Sequence, residues 1–372
     1  MQLRDFMLGL VLGVAGFLIP RLRRNRAVHD EQIWEALYEK YCGDDGPLVT
    51  AIGGGTGLST LLRGLKKYTS NLSAIVNVTD DGGSSGRLRE NLDMLPPGDI
   101  RNCLLALANT EPLLEKVFQY RFRSGEGLEG HNLGNLFLAA LTEEFGFEKA
   151  VVAASRVLAV KGEVLPVTLE KLDLVAVFSD GRVVRGESRI PNEGGRIQRL
   201  YLEPDTSNVY SAAAKAIEDA EVVVVGPGSL YTSVLANLLV PGVVQAIRAS
   251  RARKIYICNV MTQPGETDGY TAGDHLQTIH DHVGTGLFDV VIINSNLNIP
   301  PDILQKYARE GSAPVIPDPA RLSKMGVDVL SYDLISLHEL VRHDPAKLAQ
   351  IIFTEALEFR RNGKGVNKKR AV

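Results

Sequence analysis

The chain has 372 residues, 45% hydrophobic and 23% charged, the proportions of a folded globular protein and not of a disordered, collagenous or coiled-coil one. At about 150 residues per domain, this length suits one substantial α/β core with a smaller appendage. Lys and Arg number 41 against 44 Asp and Glu, a net charge of −3, so no global positive field invites nucleic acid. The three cysteines, Cys42, Cys103 and Cys258, lie far apart with no CxxC pair. That disfavours a disulfide scaffold or a cysteine zinc site and points to the reducing cytosol.

Residues 1–26 are a unit apart. Phe6 to Ile19 carries no charge, and Pro20 ends it before Arg21, Arg23, Arg24 and Arg26. At 1.5 Å per residue it covers about 21 Å of a hydrocarbon core near 30 Å. It reads as a membrane anchor that also draws in the residues before it, as a helix lying on the membrane surface, or as a segment packed on or free of the body. A cleaved signal peptide carries its charge ahead of the apolar run; here the arginines follow it and keep the rest on the cytoplasmic side. That rest has 36 basic against 43 acidic residues, a net of −7. Residues 27–47 form a linker with an amphipathic helix pattern at Ile33 to Tyr41.

The core begins at residue 48. An apolar strand, Leu48 to Ile52, runs into Gly53-Gly54-Gly55-Thr56-Gly57 and then a helical pattern of leucines, the opening of a βαβ unit. The next strand, Leu72 to Val78, delivers Asp80-Asp81-Gly82-Gly83-Ser84-Ser85-Gly86-Arg87. Residues 48–163 make the first part of a Rossmann-like domain. Residues 164–203 alternate in short runs, Val164 to Leu169, Leu174 to Phe178, Arg182 to Gly186 and Ile197 to Leu202, and predict a small antiparallel β insertion. Residues 204–361 resume the α/β pattern, with helices at Ser211 to Asp219, Tyr231 to Leu239, Ala272 to His282, Asp302 to Tyr307 and Pro345 to Arg361. The strands between them are Val222 to Val225, Lys254 to Cys258 and Val290 to Ile293. A basic tail, 362–372, closes the chain. The fold class is α/β, a mostly parallel sheet with helices on both faces.

In such a sheet the ligand crevice lies beyond the carboxyl ends of the strands, where strand order reverses. Four polar, glycine-rich segments fall at that end. Gly53 to Gly57 suits either a nucleotide or diphosphate cradle or a bare turn; it matches neither GxGxxG nor the lysine-bearing P-loop. Gly226-Pro227-Gly228-Ser229 repeats the logic, with Ser229 as a helix N-cap. Asp80 and Asp81 repel each other unless a cation, a proton or Arg87 intervenes, and a Mg²⁺ bridging to a diphosphate is the economical account, against two turn-capping aspartates. Arg87 and Arg89 offer forks to phosphate or pair elsewhere.

Asp99 reads first as an N-cap, with Arg101 and Asn102 on the following turn. His131 and Asn135 start another helix. In the long segment Asn259 to His275, the residues Asn259, Thr262 and Gln263 suit reading of a base or sugar, and Asp268 suits a hydroxyl. His275, His280 and His282 do not form a zinc set.

The blocks IGGGTGLSTLLRGLK, VTDDGGSSGRLR, LPPGDIRNCLLALAN, GHNLGNL, VVGPGSLYTSVLANLLVPGV and ICNVMTQPGETDGYTAGDHL resemble the YvcK-type gluconeogenesis factor family, over about Leu48 to Phe359. That family belongs to the superfamily of CofD, the 2-phospho-lactate transferase of deazaflavin cofactor synthesis. The resemblance implies a Rossmann-like sheet with a β insertion, self-association as a dimer in the first instance, and binding of UDP-sugars, chiefly UDP-N-acetylglucosamine. It also implies a role in cell shape and wall synthesis on gluconeogenic carbon. By the same resemblance the binding residues are Gly53, Gly54, Gly55, Thr56, Gly57, Gly228, Ser229, Tyr231, Asn259, Thr262, Tyr307 and Arg342. Asp80 and Asp81 fall where the transferases place Mg²⁺.

The leading expectation is a regulatory UDP-sugar-binding protein without turnover or required cofactor. The alternative is a Mg²⁺-dependent phosphotransferase using Asp80 and Asp81. An NAD(P) dehydrogenase stands third, because the fingerprint glycine spacing is absent.

Overall fold

The structure, a computed structural model, describes residues 46–337 and 341–361. The apolar segment within 1–26, the helix pattern at Ile33 to Tyr41, Cys42 and the tail 362–372 lie outside the described residues. In chain order the first part comprises β1 (Val49–Gly53), α1 (Gly55–Leu65), β2 (Leu72–Val76), α2 (Gly83–Asn91), α3 (Gly98–Leu107), α4 (Pro112–Gln119), α5 (Leu133–Phe145), α6 (Phe147–Val157) and β3 (Glu163–Pro166). An inserted sheet follows, of β4 (Asp173–Phe178), β5 (Val183–Arg185) and β6 (Ile197–Glu203), and then α7 (Ser211–Asp219) and β7 (Val222–Val225). A π-helical segment, Leu230–Leu235, leads through a short α-turn to α8 (Val243–Ala249), β8 (Arg253–Ile257), α9 (Ala272–Val283), β9 (Val290–Asn294), α10 (Pro301–Arg309), α11 (Pro319–Lys324) and β10 (Asp328–Tyr332). The hairpin β11 (Ile335–Leu337) and β12 (Val341–His343) precedes the last helix, α12 (Pro345–Arg361).

The main sheet runs β10-β9-β8-β7-β1-β2-β3, and every pairing in it is parallel. Its strands are short, nearly continuous apolar runs because both faces are buried. Alternate residues serve alternate cores. Ile52, Ile75, Val223, Val225 and Val291 pack with α7, α8, α9 and the inserted sheet. Val49, Ala51, Ala74, Val224 and Ile292 pack with the leucines of α1 and with α3 and α12. The chain leaves β1 toward β2 and β3, then crosses back to β7 and continues outward on the other side. Strand order therefore reverses between β1 and β7, which fixes where a crevice opens.

One sequence expectation is corrected. The run beginning at Val164 is not part of the antiparallel unit: as β3 it pairs in parallel with β2, Ala74 opposite Val164, and buries Val164 in the main core. The inserted sheet is β5-β4-β6, with β4 in the middle. Strand β10 and the hairpin β11–β12 were not foreseen, because β10 is an edge strand with mixed burial and shows no apolar run.

Among the described residues no single helix is long and apolar enough to cross a membrane. The bent pair Leu230–Leu238 and Val243–Ala249 passes on length and composition. Its apolar residues, however, are spent inside the protein: Leu230, Val234, Leu235, Val243 and Ile247 are all buried in the core.

The two ends of the described chain meet at Glu221, which precedes β7 and is buried. Its carboxylate accepts the Leu48 N–H at 2.9 Å and the Arg360 guanidinium at 2.6 and 2.5 Å. Removing one partner of such a pair strands the other. Glu221→Ala is expected to lower stability by about 2–4 kcal/mol, read as an earlier urea-unfolding midpoint.

Candidate functional site

The two glycine turns that follow β1 and β7 meet at the switch point. Glycine is required there by contact: a Cβ on Gly57 would lie 2.3 Å from the Pro227 carbonyl oxygen, and one on Gly54 would lie 2.7 Å from Asp99 Oδ2. Gly55 also has a positive φ of 60°, which glycine alone adopts without strain. With side chains absent, the N-terminus of α1 and the turn before the π-helical segment open into one cleft of about 350 Å³. Its walls include Gly54, Gly55, Thr56, Gly57, Thr60, Gly228, Ser229, Asn259, Gln263 and Arg342. The first-turn N–H groups of Thr56 and Gly57 have no intrahelical acceptor and sit at the positive end of the helix dipole.

The side chains around the second turn are held by specific bonds. Asn259 Oδ1 accepts the Gly228 N–H at 3.2 Å, and Gln263 Nε2 donates to Ser229 Oγ at 2.6 Å. Ser229 occupies the N-cap position but makes no capping bond with its side chain. Arg342 comes from the far end of the chain on β12. Two anchors hold that strand: the Val341 N–H donates to the Tyr307 hydroxyl at 2.9 Å, and His343 Nε2 donates to the Cys258 carbonyl at 3.1 Å. Burial lowers the His343 pKa to about 4, so the imidazole is neutral with its proton on Nε2. Arg342 is exposed, paired through its backbone with Ser336 on β11, and its guanidinium makes no ion pair or hydrogen bond among the described residues.

Acidic groups gather behind the first turn. Asp99 is not an N-cap; it sits in the first turn of α3 and accepts the Gly55 N–H. Burial and the nearby Asp80 charge raise its pKa to about 6. Asp80 and Asp81 diverge. Asp80 Oδ1 accepts the Gly82 N–H at 3.0 Å, whereas Asp81 Oδ1 accepts the Ser188 N–H of the inserted sheet's loop at 2.8 Å. The Asp80 charge acts on Asp99, and both Asp80 and Asp81 act on Glu187. No group of three or more His, Cys, Asp or Glu among the described residues is arranged to hold a metal. Glu187 keeps part of its surface open, yet burial and then the charges of Asp80, Asp99, Asp81 and Glu266 push its carboxyl up to about 9. Glu266 is raised to about 7 by burial, opposed by bonds from the Tyr231 N–H and from Thr232.

Several expected residues stand outside the cleft lining. Gly53 ends β1, and its carbonyl accepts from the Asn77 N–H and from Asn237 Nδ2. The Tyr231 hydroxyl bonds that of Tyr270 at 2.9 Å, deep in the core. Thr262 accepts the Ala313 N–H. Tyr307 acts on the cleft's edge through Val341. Arg87 donates to the Glu129 carbonyl and Arg89 to Asp173. Arg101 binds Asn135 and Asn102, while His131 and Asn135 both reach Ser84, joining the starts of α2, α3 and α5. Asp268 accepts the Gly265 N–H at an exposed turn. His275 and His282 bond carbonyls one helical turn back. Sequence reasoning missed Glu187 and Glu266, whose desolvation comes from long-range packing.

An acid whose folded pKa lies above its unfolded value costs stability as pH rises from the unfolded toward the folded pKa. For Glu187 that window runs from about 4.5 to about 9. Glu187→Gln is expected to match the parent near pH 4 and to exceed its stability at pH 8 by about 2 kcal/mol or more. Urea unfolding at the two pH values in Mg²⁺-free buffer reads the difference.

Residues 49–335 match the family model described as 2-phospho-L-lactate transferase CofD. The gluconeogenesis factor of Halalkalibacterium halodurans is 51% identical over 306 residues, covering 82% of this chain and 95% of that protein. The gluconeogenesis factor of Bacillus subtilis is 48% identical over 308 residues, covering 82% and 97%. A crystal structure of a UPF0052 family member from Bacillus halodurans superimposes with a TM-score of 0.80 at 50% identity, covering 82% of this chain and 99% of that one. At these identities and coverages the chain belongs to the gluconeogenesis-factor (UPF0052) family of CofD-like proteins.

Proposed function

We propose that the cleft between the glycine turns binds the diphosphate of a nucleotide sugar, UDP-N-acetylglucosamine in the first instance, and that the protein acts as a regulator supporting cell shape and wall synthesis on gluconeogenic carbon. The observation that carries this reading is that Arg342, exposed and without an ion pair among the described residues, lines the same cleft as two converging glycine turns. First-turn N–H groups and an unspent guanidinium are what a diphosphate needs. The name of the relatives supports the regulatory part.

Calorimetric titration with UDP-N-acetylglucosamine, UDP-glucose and UDP tests the reading; no heat from any of them at about 1 mM, a binding free energy weaker than about −4.1 kcal/mol, refutes it. Arg342→Ala is expected to weaken UDP-sugar binding by about 10- to 150-fold, the loss of one charge-assisted hydrogen bond, with an unchanged circular dichroism spectrum.

A second reading, a Mg²⁺-dependent phosphotransferase, is favoured by the mutual repulsion of Asp80 and Asp99 behind the first glycine turn and by the transferase family model. A divalent cation would be held by those two carboxylates and would neutralise charge at phosphorus. Product formation from a nucleotide-diphospho substrate that needs Mg²⁺ and is lost in Asp80→Asn would replace the non-catalytic reading.

We also propose that residues 1–26 bring a fraction of the protein to the inner membrane surface, each arginine adding roughly 1 kcal/mol of attraction to an anionic leaflet. Full-length protein is expected in the membrane fraction at low salt, and a form starting at Val28 in the soluble one. Equal solubility of the two rejects the address.

A further inference from the structure

Gln263 stands where the long segment after β8 meets the second glycine turn, on the wall of the cleft. Its backbone is fixed locally: its N–H donates to Thr267 Oγ1 at 2.9 Å, and its carbonyl accepts the N–H groups of Glu266 and Thr267 at 3.1 and 2.9 Å. One end of its side-chain amide lies 2.6 Å from Ser229 Oγ. The other end is buried with no partner among the described residues.

The two ends of an amide are not equivalent. A buried carbonyl oxygen left unpaired is tolerated better than a buried NH₂ group left unpaired, so the oxygen belongs at the empty end. The nitrogen then donates to Ser229. A hydroxyl has one proton and two lone pairs. With a lone pair engaged by Gln263 and no protein acceptor for its hydrogen among the described residues, Ser229 is left to donate into the cleft. Asn259 is disposed in the same sense, its oxygen taken by the Gly228 N–H and its NH₂ group left as a donor.

We propose that Gln263 is a positioning residue that fixes the Ser229 hydroxyl as a hydrogen-bond donor to an anionic group between the two glycine turns, a phosphate of a nucleoside diphosphate. The inference rests on the binding reading given above. A methionine at 263 keeps the volume and releases the hydroxyl to rotate. A glutamate reverses the bond: its carboxylate accepts the Ser229 proton and adds a negative charge beside the anion.

The test is a double-mutant cycle read with UDP by calorimetry on the full chain, for wild type, Ser229→Ala, Gln263→Met, Gln263→Glu and the double variants. Ser229→Ala is expected to weaken UDP about 10-fold and Gln263→Met about 5-fold. The variant carrying both changes should be no weaker than Ser229→Ala alone, within about twofold, because Gln263 acts only through the serine. Gln263→Glu is expected to weaken UDP more than Gln263→Met does, and Gln263→Leu, likewise uncharged, supplies the cycle if the methionine variant does not fold. Losses that multiply in the double variant, or wild-type affinity in both Gln263 variants, overturn the assignment while leaving the cleft a UDP site. Failure of the wild-type chain to bind UDP removes the binding reading and this inference together.

Discussion

The close approach of Gly57 to the Pro227 carbonyl is the constraint on which the site depends. A methyl group there would sit at 2.3 Å, well inside van der Waals contact, so the two turns could not touch. Because they do touch, the ends of β1 and β7, already neighbours through the register Ile52 opposite Val225, deliver two helix starts to one cleft. Parallel pairing sets the level of both turns, and the reversal of strand order leaves the space above them free of a crossing helix.

Charge is divided across that cleft. Asp99 meets the first turn from behind and takes the Gly55 N–H, while the following N–H groups of Thr56 and Gly57 face forward. The acidic side is desolvated by the inserted sheet, whose loop reaches over Asp81 through Ser188. The insertion is thus an electrostatic element as well as a packing one. It holds Glu187 among carboxylates that in water would repel one another far less.

Much of this was legible in the sequence for physical reasons. Fully buried parallel strands must be apolar runs, so β1, β2, β7, β8 and β9 stood out, and helices α7 and α12 carried clear periodicity to the residue. Glycine turns at strand ends, with Asn259 after β8, pointed to the lining of the cleft. What failed was whatever depends on contacts distant in sequence. The Val164 run looked like insertion because alternation does not name a strand's neighbour. The Ser188 N–H that Asp81 accepts comes from more than a hundred residues away, a contact no local motif announces. Thr262 bonds the Ala313 backbone and Tyr231 is buried in the core, long-range contacts that a motif does not write out. Tyr307 and Arg342 were placed by resemblance alone, and their link through Val341 belongs to the fold.

The strand that carries Arg342 is tied down at two points, by Tyr307 and by the neutral His343. The other wall of the cleft begins at Gly54, near the opposite end of the described chain. An occupant bridging the two would be linked to global unfolding, adding about 2.7 kcal/mol to stability at 100 times its dissociation constant. Strand β12 pairs with β11 and not with the seven-stranded sheet, so a contact made through Arg342 loads the hairpin and its two anchors, whereas a contact made at Gly54 loads the main sheet.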